Sequence, residues 1–327
     1  QVAKKLNIQT FIYTDSNDSP AIKYANNYAI KQYDDFDEID TFIQGCDFIT
    51  YEFENIPFKT LSYIENKITV SPSSQINKII QDRLTEKNYV NEINIPTVPY
   101  IEIKDIEDLK SVNTDFFPAI LKTRKLGYDG KGQYIVNSSK EIPEIPKNDY
   151  ILEKKINLQQ EISIIAVRYQ DGTIFTYQPI ENVHKDQILF KSYSPANSNQ
   201  SIIEEAKNHA VNFAKKISYV GTFCLEFFIT DKSELLLNEI APRVHNSGHL
   251  TIESYNVSQF ESHLRSVCDL EKIKPLLRYK SEMTNILGED IYNYRDKEFK
   301  KDEYFHDYYK KESKTGRKMG HFTKILA

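Results

Sequence analysis

Residues 235–249 of this chain read LLLNEIAPRVHNSGH, an apolar run that leads straight into a polar loop. The apolar run predicts a strand, Asn238 and Glu239 place an amide beside a carboxylate near its end, and Pro242 predicts where it stops. The polar side chains that follow are Arg243, His245, Asn246, Ser247 and His249. A strand that ends in so many polar groups is typical of the edge of a binding site rather than of a surface turn.

The preceding apolar run, residues 222–230, carries a single charge at Glu226. A carboxylate among apolar neighbours is costly to bury unless it is paired or bound to a metal. Residues 231–234 suit a hairpin turn, so we expect Glu226 and Glu239 on neighbouring antiparallel strands. With Asn238 they form an all-oxygen set that favours Mg²⁺, with Mn²⁺ as the alternative ion. The competing interpretation is that both acids face solvent.

His245 and His249 also raise the question of a zinc site. Ser247 and Gly248 between them disfavour a helical i, i+4 pair, and we expect no cysteine or glutamate nearby to complete a tetrahedral set. A zinc site is therefore not predicted. His263 lies in the predicted amphipathic helix 257–267 and is expected to be structural.

A second unusual stretch is residues 118–135, PAILKTRKLGYDGKGQYI, which predicts strand, glycine-rich loop and strand. The spacing matches neither the Walker loop nor the dinucleotide fingerprint. Backbone N–H groups of a glycine-rich loop can nevertheless cradle phosphate oxygens, and Lys122 and Lys131 would add positive charge. The alternative is a flexible hairpin, which does not explain a lysine at the strand end.

Residues 1–70 alternate strand-like and helix-like segments, which predicts a doubly wound parallel sheet. Glu54 follows the predicted strand 47–51 and is a candidate for substrate contact, because ligands bind beyond the carboxyl ends of parallel strands. Residues 73–93 are predicted to be helical, and the mixed charges of residues 81–87 are expected on an exposed face. We further expect that a strand–turn–helix unit of roughly 25 residues precedes residue 1 in the complete protein.

Composition limits the class of protein. The 327 residues suffice for two or three domains, and 40% apolar with 27% charged residues is typical of a soluble globular protein. A net charge of −5 argues against a nucleic-acid partner, and no apolar run reaches the ~18 residues of a membrane span. Three scattered cysteines fit a reducing, cytoplasmic setting rather than a disulfide framework.

Taken together, these motifs resemble the nucleotide site of ATP-grasp ligases. The residues that carry this resemblance are Lys122, the loop 127–133, Glu153, Glu161, Glu226, Asn238 and Glu239. Within the superfamily, residues 128–133 and 238–249 resemble the N5-carboxyaminoimidazole ribonucleotide synthetases of purine biosynthesis. The segments 51–55, 81–87 and 317–321 match the same family.

This resemblance implies a chain of mixed α/β and α+β class. It implies a Rossmann-like N-terminal domain (1–94), an ATP-grasp domain (95–270) and a small β-rich C-terminal domain (271–327). It also implies a reaction, in which ATP phosphorylates bicarbonate to carboxyphosphate and aminoimidazole ribonucleotide captures the carboxyl group. We expect a homodimer without nucleic-acid or membrane partners.

Site residues follow from the resemblance position by position. The ATP contacts it implies are Arg83, Lys122, Gly127, Tyr128, Asp129, Gly130, Lys131, Gly132, Gln133, Glu153, Lys154, Lys155, Ile156, Glu161, His184, Asn238 and Glu239. The substrate contacts it implies are Glu54, Tyr128, Asp129, Lys131, Arg243, His245, Asn246, Ser247, Lys311 and Arg317. The implied catalytic residues are Arg243, Lys131, Asp129 and His245, and the metal ligands are Glu226 and Glu239.

The chain departs from the family pattern in two places, and two alternative functions compete with the one that the resemblance implies. The family usually carries glycine where this chain has Leu126, and the family's N-terminal glycine turn is absent from these residues. One rival is a formate-dependent glycinamide ribonucleotide transformylase, whose loop carries Asp-Thr-Gly in place of residues 246–248. The other is a catalytically inactive nucleotide-binding protein, against which the retained acids Glu226 and Glu239 argue.

Overall fold

The N-terminal segment builds a small α/β unit. The computed structural model describes residues 1–127, 132–140, 144–146 and 148–326. The first elements are α1 (Val2–Lys5), β1 (Phe11–Thr14), a 3-10 turn (Pro20–Tyr24), β2 (Asn27–Ile30), α2 (Phe36–Ile43) and α3 (Phe58–Glu65). Strands β1 and β2 pair in parallel, as predicted. The strand predicted at 47–51 reduces to one parallel bridge between Ile49 and Val70.

Two helices, α4 (Ser74–Ile80) and α5 (Arg83–Glu92), occupy the stretch predicted as one helical segment. The break falls at Asp82, whose side chain accepts hydrogen bonds from the backbone N–H groups of Leu84 and Thr85 and so caps α5. The expectation that residues 81–87 are exposed was wrong. Asp82, Glu86 and Lys87 are buried, because α5 packs its charged face inward against the site described below.

A four-stranded antiparallel sheet follows, in the order β3-β6-β4-β5. Its elements are β3 (Tyr100–Ile103), α6 (Ile106–Ser111), a 3-10 turn (Thr114–Phe116), β4 (Ala119–Thr123), β5 (Gln133–Val136) and β6 (Tyr150–Lys154). The predicted strand–loop–strand around the glycines is confirmed, since β4 and β5 pair directly. Lys122 lies in β4 opposite Gln133.

A nine-stranded sheet forms the centre of the molecule, in the order β12-β11-β7-β9-β10-β13-β15-β14, with β8 added on β7. Its strands are β7 (Leu158–Arg168), β8 (Ile174–Thr176), β9 (Ile180–Lys185), β10 (Ile188–Ser194), β11 (Gly221–Thr230), β12 (Leu235–Ala241), β13 (Ser281–Leu287), β14 (Glu303–Asp307) and β15 (Lys318–Ile325). Because β10 pairs with β13, the sheet continues across residue 270. The division into three domains stays a prediction.

The remaining helices cover this sheet. They are α7 (Gln200–Lys216), a 3-10 turn (Asn246–Leu250), α8 (Thr251–Ser254), α9 (Gln259–Val267) and α10 (Asp290–Arg295). Helix α7 begins at Gln200, with Asn199 in the N-cap position. Glu161 lies inside β7, and residues 181–184 lie in β9. No helix in the described part of the chain is long and apolar enough to cross a membrane.

Strand β11 separates two environments by the alternation of its side chains. Phe223, Leu225 and Phe227 point to the core under α7 and are fully buried there. Each such side chain stabilises the fold by roughly 1.5–3 kcal/mol through apolar burial. Cys224 packs in a different cluster on the other face, and Glu226 shares that face because successive side chains of a strand alternate. The apolar face thus anchors the strand while the other face is left for chemistry.

Candidate active site

A cavity of about 1110 Å³ lies against both sheets. It is lined from the four-stranded sheet by Lys122 and Glu153, and from the nine-stranded sheet by Glu161, Glu226 and Glu239. Of the predicted site residues, it is also lined by Glu54, Arg83, Gly127, Gln133, Lys154, Lys155, Ile156, His184, Asn238, Arg243, His245 and Asn246. Residues far apart in the chain are therefore brought to one space, as expected of a ligand site.

Glu226 and Glu239 are direct partners in the antiparallel pairing of β11 and β12, so the predicted hairpin is confirmed. The side chain of Glu226 is 13% exposed and that of Glu239 is 41% exposed, and both border the cavity rather than open solvent. Burial disfavours the Glu226 carboxylate, but the adjacent imidazole of His245 outweighs burial and holds the pKa of Glu226 at about 2. Asn238 Oδ1 is buried and accepts no hydrogen bond from the described residues.

Glu153 is held between two lysines. Its carboxylate lies 2.7 Å from Lys122 Nζ and 3.2 Å from Lys87 Nζ, and all three side chains are at most 7% exposed. Burial raises the pKa of Glu153, but the two ammonium groups outweigh it and lower that pKa to about 2. Burial lowers the pKa of Lys122 in spite of Glu153. Lys87 also donates to the carbonyl of Asn238, which ties α5 to β12.

Helix α5 therefore supplies three ionisable groups to the site. Arg83 pairs with Glu239 at 3.0 Å and donates to the carbonyl of Gly127 at 3.3 Å. Glu86 accepts the backbone N–H of Ile240 at 2.7 Å. Sequence reasoning missed Glu86 and Lys87. The capping residue Asp82 sets the helical phase, and Glu86 lies four residues before the buried Val90, so helix spacing could have found Glu86.

Glu86 gives a test of this buried site through pH. Burial raises the pKa of Glu86 to about 8, so the folded protein holds a proton there that the unfolded chain releases at roughly pH 4.3. The contribution of Glu86 to the free energy of unfolding is complete below the pKa of Glu86 in the unfolded chain. It is lost as pH rises towards the pKa of about 8 in the folded protein. We expect Glu86→Gln to flatten the fall in unfolding free energy between pH 6 and 8 by roughly 1 kcal/mol per pH unit.

Guanidinium unfolding at several pH values measures this slope. Glu92→Gln, at the exposed end of the same helix, is the matched control and should keep the wild-type slope. Equal slopes for wild type and Glu86→Gln would show that Glu86 is not protonated in the folded state.

Hydrogen bonds from Gln259 of α9 hold the loop after Pro242 in place. Gln259 accepts the N–H of His245 at 2.9 Å and donates to its carbonyl at 2.7 Å. A Cβ on Gly248 would lie 2.6 Å from the same amide, so only glycine fits there. Arg243 in this loop contacts Glu54 at 2.9 Å, which brings the predicted Glu54 to the cavity. Gln259 was missed, because nothing in the local pattern of α9 marks it.

His245 is oriented by hydroxyl groups. Its Nδ1 lies 2.9 Å from Ser247 Oγ, which in turn lies 2.8 Å from Ser163 Oγ, and its Nε2 lies 2.7 Å from Glu226. The sequence predicts no cysteine or glutamate that would complete a tetrahedral set here, but the fold brings one of each to His245. One ligand atom each of Cys224, Glu226 and His245 lie within 4.8 Å of one another, because the loop folds back over β11.

The structure describes only the two ends of the glycine-rich loop 127–133. Tyr128, Asp129, Gly130 and Lys131 lie outside the described residues. Gly132 has φ +73°, and a Cβ there would lie 2.6 Å from Thr123 Oγ1, so glycine is required. Leu126 has φ +62° and is 73% exposed at the cavity, a backbone conformation that costs an L-residue about 1–2 kcal/mol.

The other predicted contacts divide into two groups. His184 lies 2.7 Å from Glu161 across β7 and β9; burial lowers the pKa of His184, but Glu161 outweighs burial and raises it. Arg317 instead pairs with Asp18 at 2.9 Å. Among the described residues that line the cavity, neither Lys311 nor Arg317 appears, whereas their neighbours Lys310 and Lys318 do.

Comparison with known proteins identifies the family. Three family models match: a ribonucleotide synthetase preATP-grasp domain (residues 1–81), an ATP-grasp domain (88–260) and a phosphoribosylaminoimidazole carboxylase C-terminal domain (281–327). The N5-carboxyaminoimidazole ribonucleotide synthase of Staphylococcus aureus MRSA252 is 37% identical over 99% of this chain and 88% of its own length. That of Bacillus subtilis 168 is 36% identical, over 98% and 86% respectively.

Solved structures agree. N5-carboxyaminoimidazole synthetase from S. aureus in complex with ADP superposes with a TM-score of 0.91 at 34% identity, over 100% of this chain and 89% of the other. The Aspergillus clavatus synthase in complex with ADP and 5-aminoimidazole ribonucleotide also reaches 0.91, at 28% identity, over 99% and 89%. With sequence identity and fold matching over nearly its whole length, this chain belongs to the N5-carboxyaminoimidazole ribonucleotide synthase family of ATP-grasp ligases.

Proposed function

We propose that the protein carboxylates 5-aminoimidazole ribonucleotide with bicarbonate, in an ATP-dependent step of de novo purine biosynthesis. A bicarbonate oxygen attacks the γ-phosphorus of ATP, and ADP leaves. The 5-amino nitrogen then bonds to the carboxyl carbon of carboxyphosphate, phosphate leaves, and the nitrogen loses a proton. The observation that carries this proposal is one cavity with paired carboxylates on one wall and buried cations on the other.

The donor set of β11 and β12 fits a divalent cation. Glu226 and Glu239 would hold Mg²⁺, or Mn²⁺ in its place, together with the buried Asn238 Oδ1. When bound, the ion neutralises phosphate charge during phosphoryl transfer. Arg83 pairs with Glu239, so its guanidinium is placed to contact a phosphate beside the two carboxylates.

ATP would lie across both sheets. Lys122 and Arg83 are proposed to bind its phosphates, together with the loop 127–133. The contact between Glu153 and Lys122 supports this role, because the carboxylate holds the ammonium group in a fixed position without water. The residues proposed to line the adenine pocket are Glu153, Lys154, Lys155 and Ile156. Glu161 would accept hydrogen bonds from the ribose hydroxyls, with His184 beside it.

The acceptor would bind on the side of the polar loop. Arg243 presents a planar guanidinium to bicarbonate or carboxyphosphate oxygens, and Glu54 fixes its orientation. His245, with Nδ1 held by Ser247, is proposed to contact the transferred carboxyl group. Asn246 is proposed to contact the ribonucleotide.

Two further groups of residues complete the proposed site. Tyr128, Asp129 and Lys131 are proposed to contact the ribonucleotide and the carboxyphosphate, on the basis of the family resemblance. Lys311 and Arg317 are proposed to bind the 5′-phosphate of the ribonucleotide, on the basis of the family resemblance and their positive charge.

We also propose a cytoplasmic homodimer. The described cysteines are all free, which fits a reducing compartment. Sedimentation velocity measures the oligomeric state directly, and a monomer at micromolar concentration would contradict the dimer.

The reaction is tested by phosphate release from ATP. We expect release only when both aminoimidazole ribonucleotide and bicarbonate are present, together with transfer of ¹³C from bicarbonate to the product. Glycinamide ribonucleotide with formate should give no release, because residues 246–248 read Asn-Ser-Gly rather than the transformylase pattern. Release that does not depend on aminoimidazole ribonucleotide would overturn the assignment.

A further inference from the structure

We propose that Cys224, Glu226 and His245 form a binding site for a thiophilic divalent cation such as Zn²⁺ or Co²⁺. Their ligand atoms lie within 4.8 Å of one another. Sulfur, imidazole nitrogen and carboxylate oxygen are the donors that Zn²⁺ takes in proteins, whereas Mg²⁺ requires oxygen donors throughout. The cluster therefore differs in its chemistry from the oxygen set of Glu226, Glu239 and Asn238.

Backbone geometry places the three donors together. Cys224 and Glu226 are two residues apart on β11, so their side chains share one face of the strand. The loop after β12 returns over that face and brings His245 Nε2 to 2.7 Å from Glu226. Donor atoms of a tetrahedral zinc site lie about 3.5 Å apart, given the known metal–ligand bond lengths. Side-chain movements of about 1 Å would thus complete the site.

Hydrogen bonds fix the position of the His245 imidazole. His245 Nδ1 contacts Ser247 Oγ at 2.9 Å, and Ser247 contacts Ser163 Oγ at 2.8 Å. Asn182 donates to the same Ser163 oxygen at 3.0 Å, which anchors the chain of hydroxyls in the sheet. In the metal-free protein Nδ1 accepts the backbone N–H of Ser247, so the ring proton lies on Nε2, 2.7 Å from Glu226. A metal-bound imidazole would carry that proton on Nδ1, within hydrogen-bond distance of Ser247 Oγ.

A cation can reach this site from the cavity. Glu226 and His245 line the cavity, while Cys224 lies fully buried behind them. Binding converts the Cys224 thiol to a metal thiolate and releases one proton to water, and the proton on His245 Nε2 moves to Nδ1, which then donates to Ser247 Oγ. No redox partner is needed. A water molecule from the cavity can take the fourth position.

Occupancy has a consequence for catalysis, and this consequence rests on the proposed function. Glu226 cannot serve both sites in full, so Zn²⁺ at Cys224 would withdraw Glu226 and His245 from the Mg²⁺-dependent reaction. We expect Zn²⁺ to inhibit, and we expect the inhibition to weaken when Cys224 is replaced.

Cobalt absorption tests the site without any substrate. Co²⁺ is added to the intact protein in the absence of nucleotide, and we expect a near-ultraviolet band of thiolate-to-cobalt charge transfer that Zn²⁺ abolishes. Cys224→Ser should lose the band and bind Co²⁺ at least ~10-fold more weakly. Cys268→Ser and Cys46→Ser are matched controls at the other free cysteines and should keep the band. Cys224→Ala repeats the test with a second side chain, and thermal unfolding checks that each variant is folded.

Absence of the band in the wild type, or its retention in both Cys224 variants, would overturn the proposal. The inhibition is measured separately, as Zn²⁺-dependent loss of phosphate release at fixed Mg²⁺. Resistance of Cys224→Ser to Zn²⁺ supports the overlap of the two sites, and equal sensitivity overturns it. A protein that forms the cobalt band but lacks the carboxylation activity would refute the proposed function and leave the metal site standing.

Discussion

Glu239→Gln is expected to lower kcat for carboxylation by roughly 10²–10³-fold or more, the scale on which single preorganised electrostatic groups act. Glu239 faces Glu226 across the β11–β12 pair and contacts Arg83 at 3.0 Å. The amide keeps the shape of the side chain but removes the charge that would hold Mg²⁺. The Mg²⁺ concentration for half-maximal activity should therefore rise together with the fall in kcat.

Steady-state phosphate release at several Mg²⁺ concentrations measures both effects. Glu234→Gln removes a carboxylate at the exposed turn of the same hairpin and should retain wild-type kinetics. Near-normal turnover and Mg²⁺ dependence in Glu239→Gln would remove Glu239 from the catalytic site.

Glu153→Gln is expected to reduce the free energy of unfolding by about 3–5 kcal/mol, because it leaves buried cations without their counter-charge. Lys87 and Lys122 both contact this carboxylate, at 3.2 and 2.7 Å. Burial already lowers the pKa of Lys122, and loss of the carboxylate should lower that pKa further, so the folded variant binds fewer protons than the unfolded chain. The stability of the variant relative to the wild type should then rise with pH, so the deficit should be larger at pH 6 than at pH 9.

Guanidinium unfolding of the nucleotide-free protein gives these values. The control is Glu107→Gln, which breaks the exposed pair with Lys110 and should cost less than about 1 kcal/mol. A loss of similar size in both variants would mean that the charges around Glu153 remain hydrated in the folded protein.

Local sequence patterns are enough to predict both hairpins that border the site. The β11–β12 hairpin follows from two apolar runs separated by four polar residues, and the β4–β5 hairpin follows from strands on either side of a glycine-rich loop. In both cases the information lies within a few residues of the turn, where side-chain alternation and turn chemistry suffice. The pairing of Glu226 with Glu239 follows directly from that hairpin.

The prediction of exposure from the charge pattern was wrong where tertiary packing buries the charged residues. Residues 81–87 have the composition of a solvated helix face, yet Glu86 and Lys87 are buried by contacts with Ile240, Asn238 and Glu153. The search for zinc ligands around His245 passed over Cys224 for a different reason, because the two residues are distant in sequence although close in space.

The main strands, the hairpins, the family and the types of residue available for catalysis can all be read from the amino-acid sequence. Which of those residues meet depends on the packing of the folded chain. Arg83 and Glu239 are 156 positions apart, and Arg243 and Glu54 are 189 apart. The physical reason is that periodicity reports on hydrogen bonding and burial along one segment, whereas the stretch 235–249 acquires its partners through sheet order and helix packing, which no local pattern encodes.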